Sequence, residues 1–388
     1  MKKAWTTKTL EEACQFSNGL WKGEKPPFVK VGVIRNTNFT KEGALDDSDI
    51  AYLDVETKKL SKRRLQFGDI ILEKSGGGPK QPVGRVALFD KEEGDFSFSN
   101  FTAALRVLEP DDLDFRFLHK FLHWTYVSGV TEGMQSNSTG IRNLDGDAYK
   151  AISVSFPPLP EQQRIVGLLD EAFAGIATAK ANAEKNLQNA RALFESHLQS
   201  VFAQRGRGWV ETTIDGISAN LDSKRVPITK DARTSGEYPY YGASGIVDYV
   251  GDYIFDGDML LVSEDGANLL ARSTPIAFSV SGRYWVNNHA HILKFEDRST
   301  QRFVEFYLES IKLDEYITGA AQPKLNQKAL NSIPIPIPKS VEVRATIVES
   351  IESLQDETKR LSQLYGRKLA ALDALKKSLL HQAFSGQL

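Results

Sequence analysis

Cysteine, long apolar runs and an excess of either charge are all scarce in this chain. Its 388 residues include one cysteine, Cys14, which excludes a disulfide framework and a cysteine-rich zinc site. No apolar run approaches the roughly 18 residues needed to cross a bilayer, and polar residues follow the short segment Met1-Lys2-Lys3-Ala4-Trp5. These absences predict a cytoplasmic protein without a membrane partner. With 48 basic and 50 acidic side chains, the chain cannot hold nucleic acid by bulk charge alone.

Two long stretches of the chain repeat each other. Residues 152–166 read Ile-Ser-Val-Ser-Phe-Pro-Pro-Leu-Pro-Glu-Gln-Gln-Arg-Ile-Val, and residues 333–348 contain a related proline-rich run that ends in Arg-Ala-Thr-Ile-Val. From Ile165 onward the copies match without a gap at an offset of 182 residues. Looser matches precede each copy: Gly68 to Leu72 with Gly257 to Leu261, Asn100 with Asn288, Leu105 with Leu293, and Asn143-Leu144 with Leu325-Asn326.

The repeat predicts four segments. They are a first globule at 1–155, a central long helix at 156–205, a second globule at 206–335 and a C-terminal long helix at 336–388. Short strand-like runs separated by Gly, Asn, Asp and Ser, with one helical patch in each globule, predict the α+β class: two mixed globules and two long helices.

The two long segments, 161–204 and 341–384, lack proline and are rich in good helix formers. Their apolar residues recur at a mean step of about 3.5, which indicates a coiled-coil seam. The first stripe is rich in alanine and the second in leucine and isoleucine, so the helices are expected to pair with each other. The predicted seam residues are Ile165, Leu169, Ile176, Leu193, Ile347, Ile351, Leu354, Leu361, Leu372 and Leu375. Two core helices of one compact domain remain the alternative, weakened by length, since average helices have only about 11–12 residues.

Polar loops follow the paired Gly-Asp strands at residues 73–81 and 263–268. Glycine there allows a ligand to approach closely, and Lys, Gln, Ser and Asn side chains can contact phosphates and base edges. Asn and His side chains at 97–100 and 286–291 stand beside a strand start at a second matched place. If the ligand is DNA, the candidate contact residues are Lys74, Lys80, Gln81, Asn100, Asn268, Arg272, Asn288 and His289. Plain surface loops and turn-capping side chains are the alternative.

No catalytic motif is complete. His119 and His123 lack the glutamate of a zinc protease helix, and no third ligand accompanies His289 and His291. Residues 75–78 are not a P-loop, and no nucleophile elbow is present. Lys25 replaces the acceptor that an adenine methyltransferase has before its Pro-Pro-Phe, and lysine accepts no hydrogen bond. We therefore expect no catalytic residue and no metal site.

On these motifs the chain resembles the specificity subunits of type I restriction-modification systems. The resemblance rests on the doubled proline-rich lead into a long helix, Glu161-Gln-Gln-Arg-Ile-Val166, and two dissimilar globules at matched places; the second copy departs from it at Lys339-Ser-Val-Glu342. It implies a non-catalytic DNA reader in which each globule recognises half of a bipartite site. It also implies an antiparallel coiled coil that sets the spacer and docks two methyltransferase subunits, which restriction subunits join. S-adenosylmethionine, ATP and Mg²⁺ would belong to those partners.

Charge is the main objection to DNA binding. The first globule carries 22 basic and 22 acidic side chains and the second 13 and 17, whereas DNA-binding domains usually show a basic patch. Either basic residues cluster on one face, as the run from Lys58 to Arg64 indicates, or partner subunits supply the phosphate contacts. Two other functions stay open: a coiled-coil scaffold whose globules bind proteins, and a nuclease, to which Asp215 and Asp222-Ser-Lys224 bear a loose likeness.

Overall fold

The computed structural model describes residues 5–20, 23–78, 81–138, 140–319 and 321–388, and the chain forms two compact units. Unit 1 comprises residues 1–183 and 368–388, and unit 2 comprises residues 184–367. Each unit therefore combines one globule with one end of each long helix. None of the helices in the described ranges has the length and apolar character needed to span a membrane.

Unit 1 begins with short strands and ends in a long helix. Its elements are β1 (Thr6–Thr9), α1 (Leu10–Ala13), β2 (Cys14–Asn18), β3 (Phe28–Ile34), β4 (Ala51–Glu56), α2 (Thr57–Ser61), β5 (Ile70–Glu73), β6 (Ser75–Gly76), β7 (Val86–Leu88), β8 (Phe96–Phe98), β9 (Thr102–Val107), α3 (Phe115–Val127), β10 (Gln135–Ser138), β11 (Ile141–Leu144), α4 (Gly146–Lys150), β12 (Ser153–Phe156) and the first part of α5 (Leu159–Ala203).

Unit 2 contains the end of α5 and the start of the second long helix. Its remaining elements are β13 (Trp209–Thr213), α6 (Ile214–Ile217), β14 (Ala219–Asn220), β15 (Ser235–Gly242), β16 (Gly245–Val250), β17 (Phe255–Asp256), β18 (Met259–Ser263), α7 (Asn268–Ala271), β19 (Ala277–Val280), β20 (Arg283–Val286), β21 (Ala290–Lys294), α8 (Arg298–Ser310), α9 (Gln327–Asn331), β22 (Pro334–Pro338) and α10 (Val341–Phe384), which returns to unit 1.

The two globules share most of their sheet topology. Unit 1 has a four-stranded sheet in the order β2-β9-β5-β7, and unit 2 has its counterpart, β14-β21-β18-β19. A second sheet, β4-β3-β8 in unit 1 and β16-β15-β20-β17 in unit 2, contains a parallel pair at the same place, β3 with β8 and β15 with β20. The pairs β1-β12 and β13-β22 also correspond. The internal repeat of the sequence is therefore a repeat of the fold, and the α+β class is confirmed.

Ladder register fixes which residues correspond. Leu105 pairs with Ile70 in unit 1, and Leu293 pairs with Leu260 in unit 2. Because both central strands are buried throughout, a one-residue slip would turn every side chain to the wrong face. Counting back from this register places Asn288 of unit 2 where unit 1 has Asn100.

A side chain in the first turn of each long helix attaches that helix to the residues that precede it. Gln162 is buried and donates from Nε2 to the carbonyls of Asp112 and Pro157, both at 2.8 Å. Its Oε1 accepts from the backbone N–H of Asp114, the N-cap of α3, at 2.8 Å. At the matched position of α10, Arg344 donates to the carbonyl of Pro338 at 2.8 Å. A different side chain thus fixes the second helix to its Pro-rich strand.

The long helices pair in opposite directions. In unit 1 the start of α5 shares a core with the end of α10 through Ile165, Leu169, Leu380 and Ala383. In unit 2 the end of α5 shares a core with the start of α10, with Leu198 and Phe202 beside Val348 and Ile351. Since each unit joins one helix start to one helix end, the pairing is antiparallel, as predicted.

The predicted seam residues differ in burial. Ile165, Leu169, Ile176 and Ile351 are buried, and Ile347, Leu354, Leu361 and Leu372 are half-buried. Leu193 and Leu375 are 56% and 47% exposed and lie outside the buried face. A straight helix drifts about 20° per heptad from a seven-residue repeat. Consistent with that drift, the half-buried neighbours Phe194 and Lys376 replace Leu193 and Leu375 on the inward side.

Candidate nucleic-acid interface

Two segments of unit 1 are joined where the central strand β5 ends. The backbone N–H of Lys74 donates to the carbonyl of Phe101 at 3.0 Å, and the N–H of Leu144 donates to the carbonyl of Lys74 at 2.8 Å. Ser75 pairs with Asn143 in the adjoining ladder. We call residues 74, 75, 101, 143 and 144 the loop frame of unit 1.

Unit 2 repeats this arrangement at the end of β18. The N–H of Glu264 donates to the carbonyl of His289 at 2.9 Å, and the N–H of Leu325 donates to the carbonyl of Glu264 at 2.8 Å. Asp265 and Lys324 form the matching backbone bridge. Residues 264, 265, 289, 324 and 325 are the loop frame of unit 2. Its backbone bonds align Leu325 with Leu144, which shifts the sequence match of Asn143-Leu144 by one residue.

A glycine completes each loop frame. Gly76 has φ 123° and Gly266 has φ 108°, and each follows the position that forms the backbone bridge. Residues that have a side chain rarely adopt such backbone angles, so glycine is required for the chain to turn there. The glycines of the two polar loops thus have a common structural role.

One buried ion pair and an amide hydrogen bond support the frame of unit 1. Glu73 is buried and accepts two hydrogen bonds from Arg85, at 2.7 and 3.0 Å, and one from Asn36 at 3.2 Å. Burial acts to lower the pKa of the Arg85 guanidinium, but the hydrogen bonds and charge of Glu73 raise it above its usual value. No pattern in the sequence indicates this set, because its members come from three separate segments.

A different buried network supports the frame of unit 2. His291 Nδ1 lies 2.5 Å from Asp222 and its Nε2 lies 2.7 Å from the carbonyl of Leu325. Glu264 forms ion pairs with Arg225 at 2.6 Å and Lys324 at 3.1 Å. Burial acts to raise the pKa of the Asp222 carboxyl, but its contacts with His291 lower it overall.

Ligand atoms of Asp222, Glu264 and His291 lie within 4.8 Å of one another, close enough to consider a metal ion. Two cations, Arg225 and Lys324, already neutralise the carboxylates, and both ring nitrogens of His291 face oxygen acceptors. The set is therefore a self-contained ion-pair network. It also engages Asp222, one of the acids that resembled a nuclease site.

Positive charge lies beside the frame of unit 1. Lys74 Nζ donates to the side chain of Asn18 at 3.0 Å, and Arg63 donates to the Asn18 carbonyl at 3.0 Å. Partial burial lowers the pKa of the Lys74 ammonium. Exposed lysines continue this basic region along and after α2, at positions 58, 59 and 62. A basic surface therefore adjoins the frame although the globule as a whole is neutral.

Asn100, Asn288 and His289 are the predicted contact residues with exposed side chains at the frames. Neither amide hydrogen-bonds to another residue that the structure describes. His289 Nδ1 lies 2.9 Å from both carboxylate oxygens of Asp265. Lys74 is a frame residue itself, so four of the eight predictions meet at the frames.

The other predicted residues lie elsewhere. The amide of Asn268 closes a local turn with Ser273 and Thr274, and Arg272 donates to the carbonyls of Leu308 and Ile311 at the end of α8. Gln81 is exposed and, with its amide oriented to accept, receives hydrogen bonds from Arg85 at 3.1–3.2 Å. Lys80 lies outside the described residues.

Residues 2–188 and 206–365 match the family model of the type I restriction modification DNA specificity domain. The chain belongs to this family. The match includes both loop frames and most of both long helices. Membership of a family defined by DNA specificity does not favour the protein-binding scaffold.

Curated relatives agree with this assignment. The chain is similar to a type I restriction enzyme specificity subunit of Haemophilus influenzae, with 34% identity over 141 residues, which is 36% of each chain. It is 26% identical over 210 residues to the EcoKI specificity subunit of Escherichia coli K12, covering 54% of this chain and 43% of that one. These matches span less than half the length of either relative. The StySPI specificity subunit of Salmonella potsdam is 22% identical over 403 residues, covering 92% and 82%.

Solved structures show the same fold. One is a chain of a type I R-M system, solved to explain complex assembly and conformational transition. It has a TM-score of 0.77 at 16% identity, and the alignment covers 99% of this chain and 98% of that one. The HsdS subunit of Thermoanaerobacter tengcongensis has a TM-score of 0.64 at 16% identity, covering 99% and 97%. At such identities the likeness establishes the fold alone.

Proposed function

We propose that this chain is the non-catalytic DNA-recognition subunit of a type I restriction-modification complex. Each globule reads one half of a bipartite double-stranded DNA site. The observation that carries this proposal is the pair of loop frames, since one backbone arrangement occurs in both units with different side chains. Two readers of the same construction and different chemistry suit a site with two unlike halves.

Contacts with DNA divide into two kinds, those that position the protein and those that specify sequence. The lysines beside the frame of unit 1 are suited to phosphates, and the exposed amides are suited to base edges. Unit 2 carries more acidic than basic side chains, 17 against 13 within residues 206–335. Its phosphate contacts are therefore assigned largely to partner subunits.

The long helices are assigned the structural role in the complex. Both run from one unit into the other, and exposed leucines such as Leu193 and Leu375 lie on their outer faces. These features support a helix pair that sets the spacer between half-sites and docks two methyltransferase subunits, which restriction subunits join. S-adenosylmethionine, ATP and Mg²⁺ would act in those partners.

Methylation mapping tests this function directly. Cells with and without the gene, and cells complemented with it, are compared for methylated adenines across the genome. We expect a split motif that disappears with the gene and returns on complementation. A purified complex of the chain with its methyltransferase should also bind that motif with a steep salt dependence. An unchanged methylation pattern would refute the proposal.

A further inference from the structure

Equivalent positions of the two loop frames carry different side chains. In unit 1 the bridge positions hold a neutral pair, in which Ser75 Oγ lies 2.6 Å from Asn143 Oδ1. In unit 2 the same positions hold charged Asp265 and Lys324. The position that accepts the first backbone hydrogen bond holds Phe101 in unit 1 and His289 in unit 2. The backbone is constant, and the chemistry presented on it varies.

One position keeps the same side chain in both units: the residue before Phe101 and before His289 is asparagine. Asn100 and Asn288 occupy equivalent turns, both are exposed, and neither amide is used within the described structure. A neighbouring amide shows the contrast, since Asn287 is buried and accepts the backbone N–H of His289 at 2.8 Å. Exposed amides that serve no turn are available to a ligand.

We propose that the dipeptides Asn100-Phe101 and Asn288-His289 are the specificity-determining contacts of the two half-sites, with Ser75-Asn143 and Asp265-Lys324 as their flanking groups. This inference rests on the proposed DNA-recognition function. The shared asparagine makes the same type of base contact in both halves. The unlike rings and flanking pairs make the halves different.

The chemistry of these groups fits base edges in the major groove. An asparagine amide can donate and accept at once, which matches the N6 and N7 atoms of adenine. Phe101 is 45% exposed, and an apolar ring of this kind contacts the methyl group of thymine. His289 differs because its Nδ1 is engaged with the carboxylate of Asp265, which leaves Nε2 as the ring nitrogen that can meet a base. Unit 2 therefore offers a polar contact where unit 1 offers an apolar one.

The test measures the methylated motif for four alanine variants of the full chain in its complex. Asn100→Ala and Phe101→Ala should each relax one position of the half-site read by unit 1. Asn288→Ala and His289→Ala should do the same in the other half. Discrimination at the affected base pair should fall by about 5- to 150-fold, measured by competition with DNA substituted at that position.

Phe67→Ala is the matched control. Phe67 is also 45% exposed and precedes β5, whereas the loop frame follows that strand, so its replacement should leave the motif unchanged. Retention of the second half of the motif shows that a variant in the first half still folds and assembles. If the wild-type chain determines a motif that none of the four variants alters, the frame contacts are refuted and the DNA-recognition function stands. If no motif depends on the chain, the function itself fails.

Discussion

His119 and His123 lie one turn apart on α3, and their ring centroids are 6.5 Å from each other. Burial lowers the pKa of His119 to about 3 and that of His123 to about 4, and nearby lysines act in the same direction. The ordinary pKa of a histidine side chain is about 6.5. Both rings are therefore neutral in the folded chain across the pH range in which they become charged in the unfolded chain.

Acid should consequently destabilise unit 1 well above the range in which carboxylates titrate. Below about pH 6.5 the unfolded chain binds more protons than the folded chain, so the free energy of unfolding falls with pH by about 1.4 kcal/mol per unit for each histidine. This loss continues until pH falls through the folded pKa values of about 4 and 3. We expect His123→Gln to halve this pH dependence of the free energy of unfolding, which the hydrogen-exchange protection of α3 measures. His197→Gln, in unit 2, is the control, and an equal effect of both variants would contradict the assignment.

Site residues were only partly predictable at this scale. The sequence placed Asn100 and Asn288 at matched positions, and the structure leaves both amides exposed. It could not show that Asn268 is engaged in a local turn, because that depends on a loop conformation no periodicity encodes. Phe101 gave no polar signal, and its place in the frame follows from a hydrogen bond to a residue 27 positions earlier in the chain.

The elements were predicted more closely than the residues. The long helices were expected at 161–204 and 341–384 and occupy Leu159–Ala203 and Val341–Phe384. Composition and the absence of proline determine such boundaries locally. Pairing of the strands is not local, and the common sheet order of the two globules was invisible in sequences that share only short runs.

Packing of the long helices depends on which leucines face inward. Leu380 is buried in the core that contains Leu169, whereas Leu375 on the same helix is 47% exposed. Leu380→Ala should lower the stability of unit 1 by about 2–5 kcal/mol, because it leaves a cavity. Leu375→Ala should change it by less than about 0.5 kcal/mol. Native-state hydrogen exchange of α3, which packs in the same core, measures both. Equal losses would show that the buried face of α10 is wrongly assigned.

The whole molecule is built from two units with separate globular cores. The core of unit 1 is formed by the strands and helix of the first globule and by Ile165, Leu169 and Leu380; that of unit 2 includes Leu198, Phe202 and Ile351. The same helix positions serve in both, since Leu198 corresponds to Leu380 and Leu169 to Ile351. The repeated helix positions hold each globule in place, and the loop side chains, which differ between the globules, carry recognition. The two roles therefore belong to different residues.

This separation predicts that the second globule can be exchanged on its own. Strands β13 and β22 pair antiparallel along Trp209–Thr213 and Pro334–Pro338, so both ends of residues 206–339 lie on neighbouring strands outside the long helices. Replacing this segment with the second globule of another family member keeps α5 and α10 intact, provided that the donor retains apolar residues where Phe303 and Tyr307 pack against Phe202.

A complex that contains the exchanged chain should methylate a motif that keeps one half-site and acquires the donor's other half, because the loop frame of unit 1 is untouched. Exchange of residues 1–156 should give the reciprocal result. Genome-wide mapping of methylated adenine in cells that carry each hybrid measures both outcomes. If either exchange altered both half-sites, reading would be a joint property of the two globules, and two independent loop frames could not account for the specificity of the complex.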